Sequence, residues 1–272
     1  MKKKVFNGLK LICAACIVAI APMLSSCLEG GGNMTSGGAI GVVRFDAKTF
    51  RNVFDISAYE SFYSLTFDNS EDGTCWYIYY ELDYENPENT AARIADNGYY
   101  TVTVLSKEQI IKYNVLPEAD TSSVALPNEM PVIAPVAGIG GYVKGILFVE
   151  HYVKSAVDQK TDWRLSYDWE HPSVSEGGEN IYEVYLRAVV LSDGAKTSEE
   201  RSEICAYAMN TFLENAAQQE KSLGKDKVSL RFNYVSEIKE DGTAVWQKVD
   251  KFDLGVQVII PESSNNTLSS TR

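Results

Sequence analysis

Four apolar or aromatic residues at alternating positions form the pattern in this sequence that could bind a ligand. Trp163, Leu165, Tyr167 and Trp169 lie in one predicted strand, where residues two apart point to the same face. If that face is open, successive side chains roughly 7 Å apart would give sugar rings a surface to stack on, formed by Trp163, Tyr167 and Trp169. If it is closed, the same rings are sandwich core, where aromatic side chains supply much of the buried area. The sequence leaves both interpretations open.

Groups for catalysis or metal binding are scarce. The two histidines are His151, in a predicted strand, and His171, in a predicted turn. The sequence has no Gly-x-Ser-x-Gly motif, no His-Glu-x-x-His motif and, after residue 26, no Cys-x-x-Cys motif. The loop from Asp68 to Gly73 matches the start of a calcium-binding EF-hand, but the twelfth position is Tyr79 where a Glu is required. We therefore predict no catalytic residue, no metal site and no cofactor.

The beginning of the chain carries signals for export and lipid attachment. Four lysines within the first ten residues accompany the apolar stretch 11–20, which has the length of a signal-peptide h-region and is too short to span a membrane. The run Leu24-Ser25-Ser26-Cys27 follows and resembles the lipobox of bacterial lipoproteins. That resemblance implies cleavage before Cys27 and acylation of this residue, which would anchor the mature protein in a membrane.

Charge and cysteine content restrict the possible partners. The full chain has a formal net charge of −12. Without residues 1–26, the remaining 246 residues hold 21 basic and 37 acidic side chains, a net charge of −16. We exclude nucleic acid as a partner, because phosphate binding needs clusters of Lys and Arg. After Cys27 only Cys75 and Cys205 remain, and we predict two buried free thiols, with a disulfide as the alternative.

The elements that must position these residues are mainly β-strands. Five short predicted strands within residues 40–105 indicate a small closed barrel. Four prolines between residues 117 and 135 indicate an extended linker. Further strands within residues 142–260 indicate an antiparallel β-sandwich, and the apolar spacing over residues 198–223 predicts one inserted helix.

The layout as a whole resembles the NigD-like bacterial lipoproteins, which combine a lipobox, a small OB-like barrel, a linker and a β-sandwich. The segments that carry the resemblance are residues 24–27, 40–105, 140–151 and 226–234. No catalytic or ligand motif defines that family, so the resemblance assigns no functional residue. The predicted organisation is a signal peptide (1–26), a flexible tether (27–39), an OB-like barrel (40–115), a Pro-rich linker (116–137), a β-sandwich (138–261) and a disordered tail (262–272).

These observations predict a non-catalytic, lipid-anchored protein of the cell envelope that works as a binding or accessory subunit. Cys27 is the predicted lipidation site, and the outer membrane is the predicted location, with the periplasmic or surface face left open. One alternative is a glycan-binding lipoprotein of a polysaccharide-utilisation system that uses Trp163, Tyr167 and Trp169. The family resemblance implies another, a bacteriocin immunity or accessory lipoprotein. The predicted partners are thus a membrane, through the lipid, and either an envelope protein or a glycan.

Overall fold

The computed structural model of the chain describes residues 33–194 and 198–261. Within these residues the protein has seventeen strands in three sheets and three α-helices. The predicted fold class, mainly β with an OB-like barrel, an antiparallel sandwich and one inserted helix, is confirmed. In chain order the elements are β1 (Met34–Asp46), β2 (Arg51–Asp55), β3 (Ser61–Tyr63), β4 (Cys75–Asp83), α1 (Ala91–Asn97), β5 (Tyr100–Thr101), β6 (Thr103–Ile110), β7 (Lys112–Asn114), β8 (Glu129–Met130), β9 (Val132–Val143), β10 (Ile146–Ala156), β11 (Lys160–Ser166), β12 (Ser173–Glu176), β13 (Glu179–Ser192), β14 (Ser198–Ala208), α2 (Asn210–Ser222), β15 (Lys227–Ile238), β16 (Ala244–Lys248), β17 (Phe252–Gly255) and α3 (Val256–Ile259).

The first six strands form a sheet that closes on itself. Its strand order is β5-β3-β2-β1-β4-β6, and β5 and β6 are one stretch of chain interrupted only at Val102. Because this stretch pairs with β3 through its beginning and with β4 through its remainder, the two edges of the sheet meet. Five chain stretches closed in this way form the small barrel of the OB-fold type. Its interior is filled by apolar side chains, namely Val43, Phe54, Phe62, Phe67, Ile78, Leu82 and Val102.

The remaining strands form two sheets that pack face to face. One has the order β7-β14-β10-β9, and the other has the order β11-β13-β15-β16 with β8, β12 and β17 paired at its margins. Neighbouring strands are antiparallel, except for the pairs β13–β15 and β7–β14. The inner faces share one apolar cluster, onto which α2 packs Phe212, Leu213, Ala216 and Ala217.

A separate apolar cluster joins the barrel to the sandwich, and we call it the junction. The barrel contributes residues of β1, β4 and β6, and the sandwich contributes residues of β9, β10 and β14. All of its fully enclosed members have less than a tenth of their surface exposed, so the two parts meet through a dry contact. The enclosed members are Ile40, Val42, Cys75, Ile110, Val143, Ile146, Phe148 and Ala206.

The predicted helix over residues 198–223 is wrong in its first half. Residues 198–208 form β14, which pairs with β10 over its whole length, and α2 begins only at Asn210. Cys205 and Tyr207 face the sandwich core, whereas Ile204 and Ala206 face the junction. The last residues of β14 are covered on both faces, so apolar residues there do not alternate with polar ones. Their spacing therefore resembles that of a buried helix face.

The end of the predicted flexible tether is ordered by strand pairing. The predicted tether (27–39) ends earlier than expected, because β1 already begins at Met34 and pairs with β4. Within β1 the position that requires glycine is Gly41, since a Cβ atom there would lie 2.2 Å from the backbone carbonyl oxygen of Asp55 on β2. Near the end of the predicted sandwich, residues 244–260 form two strands, β16 and β17, followed by the single turn of α3. Residues 27–32 and the predicted tail (262–272) lie outside the described residues.

The predicted Pro-rich linker (116–137) is also wrong as an extended connection. Its first part, residues 116–131, lies across the outer face of the sheet that contains β13, and we call it the strap; the rest of the predicted linker belongs to β9. Arg187 of β13 lies beneath the strap with a side chain only 2% exposed. Its guanidinium donates two hydrogen bonds to Asp120, of 2.9 and 3.0 Å, and two more to the carbonyl oxygens of Ser122 and Val124. The buried cation and its hydrogen bonds thus hold this segment on the sheet, together with the apolar contact of Met130 with the sandwich core.

Candidate functional site

The structure separates the three residues predicted to stack on a ligand. Trp163 is 1% exposed and lies in the sandwich core, where its indole stacks on the imidazole of His151 with ring centroids 4.1 Å apart. It therefore has no access to a ligand, and the core interpretation is correct for this residue. The strand ends at Ser166, so the alternation that groups the four residues does not continue to Trp169.

Tyr167 and Trp169 lie in the loop that follows β11, and Trp169 is 65% exposed. Asp168 fixes this loop, because its carboxylate accepts hydrogen bonds from the backbone N–H groups of Glu170 and His171, at 2.9 and 3.0 Å. The bond from His171 is the main reason why the pKa of Asp168 is lower than usual. The strap holds the beginning of the loop, since the backbone N–H of Tyr167 donates to the carbonyl of Leu116 at 3.0 Å.

These two residues form one wall of a cavity of about 440 Å³, which we call the aromatic groove. Residues of α2 form a second wall, and the strap and β13 complete the lining. A cavity of this size accommodates a small ligand or part of a chain-like one. The lining residues are Pro117, Tyr167, Trp169, Pro172, Tyr182, Phe212, Asn215, Ala216 and Gln219.

Ring contacts and one buried carboxylate keep the groove in shape. Phe212 packs against Tyr167 with centroids 4.4 Å apart and against Tyr182 at 6.2 Å. The hydroxyl of Tyr182 donates to the carboxylate of Glu220 at 2.9 Å, and Asn180 donates to the same oxygen at 2.7 Å. Burial alone would raise the pKa of Glu220, but these bonds and the nearby Lys225 outweigh it, and the pKa lies below its usual value. An ionised Glu220 therefore ties α2 to β13.

The groove offers neutral hydrogen-bonding groups around its rings. None of the nine lining residues carries a charge, although the chain as a whole is strongly acidic. Asn215 and Gln219 are exposed and stand one helical turn apart on α2. Within the described residues, neither their amide groups nor the hydroxyl of Tyr167 and the indole N–H of Trp169 bond to another protein group. Such a site can stack a flat face and hydrogen-bond its polar edge without an ion pair.

Sequence reasoning missed most of this groove. Phe212, Asn215, Ala216 and Gln219 follow the spacing of one helix face, which could have been recognised if α2 had been placed correctly. The nearness of this face to Tyr167, however, depends on the way the sheets pack. No local spacing in the sequence encodes that contact.

The histidines and cysteines of the described residues lie outside the aromatic groove. Nε2 of His151 lies 2.7 Å from the hydroxyl of Tyr207, and complete burial lowers the pKa of His151 to about 3, so the ring is neutral. His171 is exposed beside Asp168. Cys75 and Cys205 are buried free thiols, as predicted, and burial raises the pKa of Cys75 to about 11. Among residues 33–194 and 198–261, no cluster of His, Cys, Asp or Glu has a composition that could hold a metal ion.

The outer faces of the barrel are the other surfaces at which a ligand could bind. OB barrels bind oligonucleotides and oligosaccharides on the face of their second and third strands. Here that face is covered by the barrel's own side chains, because Tyr63 packs on Tyr99 at 5.3 Å and Arg51 lies 4.4 Å above the ring of Tyr63. The opposite face is partly taken up by the junction. We therefore take the aromatic groove, rather than these two faces, as the candidate ligand site of the described residues.

The predicted lipidation site Cys27 and the lipobox lie outside the described residues. Within the described part of the chain, every helix is too short or too polar to cross a bilayer.

The barrel is similar to a known domain family. Residues 31–109 match the family model described as "Lipoprotein OB domain". No curated protein matches the chain. Among solved structures, an uncharacterised protein from Parabacteroides merdae ATCC 43184 superimposes with a TM-score of 0.70 at 21% identity, over 81% of this chain and 99% of that chain. A candidate lipoprotein from Bacteroides fragilis NCTC 9343 has a TM-score of 0.52 at 13% identity, over 82% and 98% of the two chains.

A NigD-like immunity protein from Bacteroides caccae ATCC 43185 matches more distantly, with a TM-score of 0.45 at 13% identity over 78% of this chain and 91% of that chain. None of the three descriptions names an enzymatic activity. The family match indicates that the chain is associated with the cell envelope. Residues 31–109 match the lipoprotein OB domain, which confirms the lipoprotein and OB-domain part of the predicted resemblance.

Proposed function

We propose that this protein is a non-catalytic, lipid-anchored subunit of the outer membrane that binds a ligand or partner through the aromatic groove. The observation that carries the proposal is the groove itself, an uncharged, ring-lined cavity on an otherwise acidic protein. The exposed ring of Trp169 is held out by a hydrogen-bonded loop, which is the arrangement of a preformed binding site. The match of residues 31–109 to a lipoprotein domain supports the anchor at Cys27.

Cell fractionation tests the anchor. The tagged chain should sediment with outer membranes. A Cys27→Ala variant, which lacks the acceptor thiol and is exported by a signal peptide that is removed without lipidation, should be recovered in soluble fractions. Acyl chains contribute about 0.8 kcal/mol per buried CH₂ group, so their loss removes the main attachment. In-cell crosslinking of both forms, followed by mass spectrometry, would identify an envelope partner that depends on the anchor. Equal sedimentation of the two forms would contradict lipidation at Cys27.

A second candidate function, binding of a neutral glycan, is favoured by the free amides of Asn215 and Gln219 beside the exposed indole of Trp169. Sugars present flat C–H faces to aromatic rings and hydroxyl groups to amides. We expect neutral oligosaccharides to protect Trp169 from acrylamide quenching and to bind measurably by calorimetry.

The matched variants for this test are Trp169→Ala and Gln219→Ala against Gln218→Ala, whose side chain is exposed on the same helix outside the groove. Loss of stacking should weaken binding about tenfold or more, because aromatic ring contacts contribute on the order of 1 kcal/mol beyond the area that they bury. The Gln218→Ala variant should bind as the unmodified protein does. Equal affinity in all three variants would remove the groove from glycan binding.

A further inference from the structure

The register of the barrel strands gives it two distinct ends. At one end, Met34 of β1 pairs with Asp83 of β4, and Glu81 pairs with Thr103 of β6. At the other end, Val42 of β1 pairs with Cys75, and Cys75 pairs with Ile110. Eight residues separate the two ends along both β1 and β4, and at about 3.3 Å per residue this corresponds to roughly 26 Å of strand.

The sandwich is attached to only one of these ends. Val42, Cys75 and Ile110 belong to the junction, where they contact β9, β10 and β14. Further contacts lie on the same side, since Lys144 at the β9–β10 turn donates to the carbonyl of Ala58 at 3.2 Å. The end that carries Met34 and Asp83 has no part in the junction.

The predicted lipid is attached close to the free end. Cys27 precedes Met34 by seven residues, and a chain of that length spans at most about 25 Å even when fully extended. The path is fixed up to Asn33, because the backbone N–H of Tyr84 donates to its carbonyl at 2.8 Å and its amide donates to Glu85 at 3.2 Å. The anchor therefore enters the fold at the end opposite to the sandwich.

The side chains at the free end suit contact with lipid headgroups. Met34 is 57% exposed and Tyr84 is 52% exposed, and tyrosine is favoured at membrane interfaces because its ring is apolar and its hydroxyl is polar. Around them stand the acidic residues Glu81, Asp83 and Glu85. Such a surface can rest on zwitterionic headgroups, whereas anionic lipids would repel it.

We propose that the barrel end around Met34 and Tyr84 lies on the membrane surface, and that the barrel is a spacer which holds the sandwich away from the lipid. The proposal rests on the lipid anchor of the proposed function. The orientation of the barrel follows from the strand register and from the seven residues that separate Cys27 from Met34.

Fluorescence quenching measures this orientation. The purified lipoprotein is placed in phosphatidylcholine vesicles that contain a lipid with a nitroxide on its headgroup, and a small fluorophore is attached to Tyr84→Cys or to Glu71→Cys. Glu71 is the matched position, because it is exposed and lies close to β4 at the junction end. Cys75 and Cys205 are buried and do not compete for the label.

We expect the label at position 84 to be quenched several-fold more strongly than the label at position 71. Added anionic lipid should reduce quenching at position 84 in low salt, and high salt should restore it, because salt screens the acidic residues. Equal quenching at both positions, or stronger quenching at position 71, would overturn the orientation.

The anchor itself is checked separately by flotation of the vesicles. If the protein does not float, lipidation in the cell has failed, and the proposed function is contradicted. The orientation is then measured on chain that begins at Cys27 and is coupled to a cyanobenzothiazole lipid, which condenses with the N-terminal aminothiol and leaves the thiol at position 84 or 71 for the fluorophore. The same difference between positions 84 and 71 decides the inference.

Discussion

Replacement of Arg187 by Ala should lower the free energy of unfolding by about 3–5 kcal/mol, the usual effect of removing one partner of a buried ion pair. The guanidinium is almost fully buried, and its Nε lies 3.2 Å from the carboxylate of Glu129, whose side chain is fully buried. Without Arg187, that carboxylate loses its counter-charge, and the carbonyl oxygens of Ser122 and Val124 lose their donors. Urea denaturation followed by circular dichroism measures the change.

The control for this prediction is Arg164→Ala. Arg164 is the register neighbour of Arg187 on the adjacent strand, but it is 45% exposed and pairs with Asp162 on the surface. Its removal should cost at most about 1 kcal/mol, as for other surface ion pairs. Similar losses for the two variants would mean that the strap is not held by Arg187.

The dependence on pH provides a further check on Arg187. Burial already raises the pKa of Glu129, and Arg187 opposes that effect. In the Arg187→Ala variant the pKa should rise further, so the folded state takes up a proton more readily than the unfolded state. A raised carboxyl pKa destabilises the folded state as the pH increases through the titration range. The deficit relative to the unmodified protein should therefore be smaller near pH 5 than near pH 8.

The second large effect is expected at Trp163. Its replacement by Ala empties a volume in the sandwich core beside His151 and should cost about 3–5 kcal/mol. Trp169→Ala, in the same predicted strand pattern, should change stability by no more than about 0.5 kcal/mol because that side chain is largely exposed. The same urea titrations compare them. A large loss for Trp169→Ala would show that its ring supports the fold, and its role as a free binding group would be lost.

Both tryptophans show how far sequence reasoning reaches in this protein. Strand periodicity correctly predicts a mainly β chain, and it leaves two interpretations open for Trp163, which the structure places in the core. The periodicity does not hold for Trp169, because β11 ends at Ser166. The conformation of the loop that follows is set by the hydrogen bonds of Asp168. The point at which β11 ends therefore decides that Trp169 lies on the surface and not in the core.

The errors at residues 198–208 and in the strap have a related cause. Ser198–Ala208 becomes a strand because β10 offers a partner for every residue, which overrides the local helical pattern. The prolines of the strap correctly exclude regular structure for most of its length, but the ordering by Arg187 comes from a residue more than sixty positions away. Contacts of this kind depend on the assembled sheets and leave no periodic signal in the sequence.

The central claim, that the aromatic groove binds the partner or ligand of the anchored protein, is tested most directly by photo-crosslinking in cells. A photoreactive amino acid is introduced at Gln219, which lines the groove, or at Gln218, which is also exposed on the helix but lies outside the groove. The account predicts a discrete adduct from position 219 that is weakened by Trp169→Ala, and no such adduct from position 218. The same adducts from both positions, or none from position 219, would contradict it.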